Sequence, residues 1–138
     1  PIVSSPLARC LDTAAPLADR WGVQPVADRR VGEIESPTPD LKERGRWLRG
    51  VMSGAWDDQP AELRAWRRQA IEAVLALEAE DAVVFTHFMV INAVVGEATG
   101  DGSVVCFAPD HCSRTEVKVD RGRLELVELG GQARTLVR

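Results

Sequence analysis

Arg9, Glu33 and His87 carry the three functional groups of this sequence best suited to holding an anion and moving a proton. Arg9 follows Ser4-Ser5-Pro6-Leu7-Ala8. There Ile2 and Val3 read as the end of a buried strand, Ser5 as a helix cap and Pro6 as the first helical position. A helix that starts directly off a strand gathers free backbone N–H groups and the positive end of its dipole, and a guanidinium one turn in adds a fork that fits phosphate oxygens. His87 repeats this arrangement at the end of the apolar run 82–86, ahead of a helical stretch. Ligands of open α/β sheets bind at the carboxyl ends of strands, so the two turns can converge on one anion. Glu33 lies in Arg29-Arg30-Val31-Gly32-Glu33-Ile34, just before the loop Glu35-Ser36-Pro37-Thr38-Pro39-Asp40. Each residue also has a plain reading: a solvated arginine on a capped helix, a solvated carboxylate, a structural histidine.

The elements that must hold these groups follow from periodicity. Leu7, Leu11, Ala14, Leu17 and Trp21 recur at helical spacing, Gly22 marks the stop, and Pro16 predicts a kink or a lost hydrogen bond. Residues 23–26 read as a short edge strand that tolerates Pro25. A helix capped by Asp40 runs to about Met52 and ends near Ser53-Gly54. The stretch 61–80 is the clearest helix, with Leu63, Trp66, Ala70, Val74 and Leu77 on one stripe. Residues 82–86 read as a strand buried on both faces, 88–99 as an apolar helix closed by Gly100, and 104–107 as another strand. Thr115, Val117 and Val119 alternate, Asp120-Arg121-Gly122 turns, and Leu124 and Leu126 resume, which predicts a hairpin. Gly130-Gly131 and the tail are expected to fray. This alternation predicts a single domain, residues 1–138: a three-layer α/β sandwich with a mainly parallel central sheet flanked by helices, and a terminal hairpin.

Composition narrows the function classes. At 138 residues the chain can bury a substantial core, and its net charge of −4 argues against general affinity for nucleic acid. No stretch is long and apolar enough to span a bilayer, and no leader pattern precedes the first strand, so a cytoplasmic location is the default expectation. Cys10, Cys106 and Cys112 have neither zinc-ligand nor CxxC spacing and are expected to be buried thiols. His111 beside Cys112 does not make a metal site, and a hydrogen-bonded structural role is expected for it. Neither a metal nor a cofactor is implied.

Several motifs resemble those of one family. Ser4-Ser5-Pro6-Leu7-Ala8-Arg9-Cys10-Leu11-Asp12-Thr13-Ala14 is similar to the SSPLxRxxxTA stretch of the histidine phosphatase superfamily, the phosphoglycerate-mutase-like proteins. The resemblance implies that Arg9 binds the transferred phosphoryl group. Val31-Gly32-Glu33-Ile34 is similar to the family's LxEIxxG, which implies that Glu33 donates and accepts the proton of the leaving and attacking oxygens; Ser36-Pro37 depart from that pattern. Val83-Val84-Phe85-Thr86-His87-Phe88 resembles VVSHG, with Thr86 for Ser and Phe88 for Gly. It implies that His87, as imidazolium, binds the phosphoryl group and stabilises it in transfer. His111 falls where the family often has a polar residue near the pocket. Residues 36–60 correspond to an insertion that forms a cap, where Arg44, Arg46 and Arg49 either meet substrate or are surface charges.

The family's Arg-His-Gly motif, whose histidine becomes phosphohistidine, does not occur in these residues. Pro1 opens inside a strand, and an upstream segment carrying that motif and the family's first, central strand is expected. The resemblance thus implies a phosphate monoester hydrolase, in preference to a mutase, acting on a phosphorylated small molecule through an upstream nucleophile. The alternative is a catalytically inactive member that binds a phospho-ligand or a protein. The oligomeric state is not legible in the sequence.

Overall fold

The computed structural model describes residues 1–133. A parallel three-stranded sheet organises it, built from β1 (Ile2–Ser4), β2 (Val26–Ala27) and β3 (Val83–Phe85) in the order β2-β1-β3. Val3 pairs with Val26 on one side of β1 and with Val84 on the other. Alternation along the strands then sends side chains to opposite faces. Ile2 and Phe85 pack with Ala14, Leu17 and Ala18 of helix α1 (Ala8–Trp21). Val3 and Val84 pack on the other face with Ala70, Ile71 and Val74 of α3 (Ala61–Leu75) and Val90 and Val94 of α4 (Phe88–Thr99). Helices therefore cover both sides of the sheet, as expected for an α/β fold.

A second cluster joins α2 (Leu41–Met52) to the start of α4. Val51, Trp56, Met89, Ala93, Val104 and Ile34 form its buried part. Asp40 caps α2 as expected, its Oδ1 accepting from the N–H groups of Lys42 and Glu43 at 3.0 Å, a cap worth about 1 kcal/mol. The hairpin of β4 (Glu116–Asp120) and β5 (Arg123–Glu128) forms a separate antiparallel sheet. Its turn places both Arg121 and Gly122 at positive φ, 53° and 71°.

The structure departs from the expectations at several points. Ser5 does not cap α1: Leu7 occupies the cap position without a side-chain bond, and Pro6 stays outside the helix. The buried Ser5 hydroxyl instead faces His87. α1 runs through Pro16 as one helix, with the proline on its exposed side. The face it buries is Cys10, Ala14 and Ala18, while Leu7 and Trp21 remain exposed, because small residues let α1 approach the sheet closely. The edge strand covers Val26 and Ala27 and not residues 23–25. α3 ends at Leu75, and residues 76–79 continue as turns, with Ala79 at φ 70°.

Residues 104–107 form no strand. Their polar backbone is met by a side chain instead, since the Oδ1 of buried Asn92 accepts from the N–H groups of Cys106 and Phe107 at 2.6 and 3.1 Å. Gly130 and Gly131 are tied down: Gly131 accepts from the Asp110 N–H at 2.8 Å, and Gly130 donates to Thr115. The rest of the tail, residues 134–138, lies outside the described residues. Of the thiols, Cys10 is buried as expected, Cys106 is half-buried, with its pKa pushed up to about 11 chiefly by burial, and Cys112 is exposed. His111 sits exposed on a turn, and the bond at that residue is made by its backbone N–H to Asp110.

Candidate active site

The carboxyl end of the sheet is where the three groups meet. β1 ends at Ser4, and the Ser5 N–H donates to the Phe85 carbonyl at 2.8 Å, which locks the exits of β1 and β3 side by side. α1 and α4 both begin just past this edge, and neither has a side-chain cap. Their first free N–H groups and dipoles therefore favour negative charge here. His87 is the residue before α4, and Arg9 is the second residue of α1.

Glu33 is delivered by a chain of local bonds. The Asp28 N–H donates to the Ser4 carbonyl at 2.9 Å, so the 3-10 turn Arg29–Val31 starts directly off the sheet end. Asp28 Oδ1 caps that turn, and the Arg30 guanidinium beside it holds the Asp28 carboxyl below the usual carboxylate range. Thr86 Oγ1 donates to the Val31 carbonyl, tying the turn to the end of β3. Val31 and Ile34 are buried on either side of Glu33 and leave its carboxylate facing the sheet end.

The resulting geometry is close. Arg9 Nη2 lies 2.6 Å from Glu33 Oε2 and 3.2 Å from His87 Nδ1, and Glu33 Oε2 lies 3.5 Å from that same nitrogen. The Arg9 side chain is 63% exposed, so its ion pair with Glu33 is screened and worth at most about 1 kcal/mol. An arriving anion can therefore draw the guanidinium to itself at little cost. His87 is buried, which pushes its proton affinity below the ordinary imidazole value; Arg9 acts in the same direction and Glu33 opposes both. Burial therefore favours the neutral ring in this arrangement.

The other expected contributors are not among the hydrogen-bond partners of the three groups. Arg44, Arg46 and Arg49 are exposed along α2, and His111 is not among the partners of the three groups. Among the described residues no set of three His, Cys, Asp or Glu side chains is placed to hold a metal ion, and no helix is long and apolar enough to cross a membrane. Two surface hollows of about 310 and 430 Å³ lie along α3, α4 and the hairpin, and neither includes Arg9, Glu33 or His87. The three groups line an open sheet end. Ser5 and Cys10 also border the ring of His87, at 2.8 and 3.6 Å from Nε2. Both stand in the motif that supplies Arg9, yet only the paired strand ends reveal that they face a residue about eighty positions away.

The chain thus joins the class of α/β domains that gather polar groups, here an arginine, a histidine and a carboxylate, at the carboxyl end of a parallel sheet, where such folds bind ligands. Within that class, residues 1–131 match the histidine phosphatase superfamily, branch 1, and the chain belongs to it. No curated protein sequence matches the chain.

Proposed function

We propose that this protein is a phosphate monoester hydrolase in which Arg9 and His87 bind the phosphoryl group and Glu33 moves the proton. Members of the superfamily bind phosphorylated substrates. The observation that carries the reading is the convergence of the three groups within 2.6 to 3.5 Å of one another, beside two uncapped helix starts. Arg9 offers a fork of donors to phosphoryl oxygens, and His87 offers a proton at Nδ1 once an anion nearby has raised its affinity for one. Glu33 would protonate the departing alkoxide, which is otherwise a poor leaving group, and then take a proton from water.

The phosphohistidine of the reading is carried by residues outside this sequence. β3 supports that assignment, because it is a sheet edge with His87 at its end, and the hairpin forms a sheet of its own. The segment 36–60 is read as a cap that sets substrate choice, supported by the packing of Trp47, Leu48, Val51 and Met52 with Phe88 and Met89, next to His87.

Release of inorganic phosphate from a small monoester by the native protein tests the reading. His87→Ala is expected to lower the rate about 100-fold or more, and full activity in that variant overturns the assignment. A second reading, phospho-ligand binding without turnover, is favoured by the departures from the family's motifs at Phe88 and at Ser36-Pro37. Phosphate binding by the native protein with no hydrolysis would select it.

A further inference from the structure

The hydrogen bonds around His87 have a direction that is fixed from the Arg9 side. Arg9 Nη2, 3.2 Å from His87 Nδ1, can only donate, so Nδ1 accepts through its lone pair. A neutral imidazole then carries its proton on Nε2, which lies 2.8 Å from Ser5 Oγ. Ser5 Oγ also accepts from the Leu7 N–H at 3.3 Å, which leaves its own proton for another acceptor. The Cys10 sulfur borders the same Nε2, at 3.6 Å. Cys10 in turn donates to the Thr86 carbonyl at 3.6 Å, and a carbonyl can only accept. The donor-only guanidinium at Nδ1 leaves one direction for the ring: Nδ1 accepts, and Nε2 donates to Ser5 Oγ.

From this chain we infer that Ser5 is a positioning residue: by accepting the Nε2 proton of buried His87 it makes Nδ1, the nitrogen facing Arg9 and Glu33, the atom at which the ring gains its proton. The inference rests on the phosphoryl-binding reading of His87 for its purpose, and on the bond directions alone for its geometry. Proton uptake at Nδ1 places an N–H beside Glu33 Oε2, 3.5 Å away, and beside any anion held by Arg9. Uptake at Nε2 would point the new N–H at the protein interior. The charged and titratable groups facing the ring are Arg9, Glu33 and Cys10, and the Cys10 thiol donates to the Thr86 carbonyl. A buried Ser5 with no solvent contact suits this role, since water cannot substitute for its oxygen. Ser4, equally buried, turns its hydroxyl to the Ser5 carbonyl and does not compete for His87.

Ring ¹⁵N–¹H NMR of the protein tests this directly, with the signals of His87 identified by their loss in His87→Gln. Wild type is expected to show neutral His87 protonated on Nε2 and titrating at Nδ1. A ring protonated on Nδ1 in wild type overturns the inference without any variant, which covers the case that Ser5→Ala does not fold. In a folded Ser5→Ala the ring is expected to shift toward the Nδ1–H form. Its titration midpoint should fall by about one unit, a tenfold loss in proton affinity. An unchanged tautomer and midpoint in that variant overturns the inference. Inorganic phosphate added at fixed pH should raise the midpoint in wild type and do so with about tenfold lower affinity in Ser5→Ala. A wild-type ring on Nε2 that ignores phosphate would refute the phosphoryl-binding reading while upholding the role of Ser5 in setting the tautomer.

Discussion

Replacing Glu33 by Gln keeps the shape of the carboxyl group and removes its charge and its transferable proton. Glu33 is the neighbouring charge that supports protonation of His87, so Glu33→Gln should lower the His87 midpoint further. It should also cost about 100-fold in hydrolysis of alkyl phosphates and far less for an aryl phosphate whose leaving group needs no acid. Equal losses on both substrates would remove the proton-transfer role. Arg9→Ala leaves a different mark, weaker phosphate binding at every pH, readable by calorimetry against wild type. At this scale the sequence was informative about charged groups at strand exits, and Arg9 and His87 could be singled out from their turns. It was silent on Ser5 and Cys10 as partners of His87, because a small polar residue announces its contact only once the strand carrying the other partner is paired beside it. It could not show the burial of the His87 ring, which is a property of the packed sheet end.

Elements with strong local signals came through the sequence well: α2 with its Asp40 cap, α4 with Gly100 at φ 72°, and the hairpin with its turn. Elements decided by tertiary contacts did not. The stretch 104–107 has the apolar character of a strand, yet no neighbouring strand offers it a ladder, and Asn92 takes over the two amides. Asn92→Ala should therefore leave two buried donors unmet and destabilise the fold by about 2 to 3 kcal/mol, measured by chemical denaturation. Gly96→Ala tests the same junction from the other side. A Cβ there would stand 2.8 Å from the Asp101 carbonyl oxygen, so the turn after α4 must shift and stability must drop. Gly50→Ala on α2, where nothing lies within 4 Å, should instead be neutral or slightly stabilising.

Across the whole molecule, burial of a neutral histidine ties stability to pH. The unfolded chain takes up a proton on His87 near the ordinary value of 6.5, whereas the folded chain does so only at lower pH. Above that value both states are neutral and the contribution is complete; as pH falls below it, the unfolded state gains the proton first and the contribution is lost down to the folded midpoint. Asp28, lowered from 3.8 by Arg30, adds a second loss in the more acidic range. Thermal melts of His87→Gln should lack the first decline and keep the second. A bound dianion acts oppositely on His87, so stabilisation of wild type by sulfate should grow from about pH 8 to about pH 6.

Arg9 and His87 are 78 residues apart in the chain, and the backbone between them holds α2, α3 and two of the three sheet strands' worth of pairing decisions. Closing so long a loop before β1 and β3 can register is slow compared with forming either helix. Anion binding is therefore a late event in refolding: a fluorescent phosphate competitor should report nothing while helical signal rises, and should respond only in the final kinetic phase.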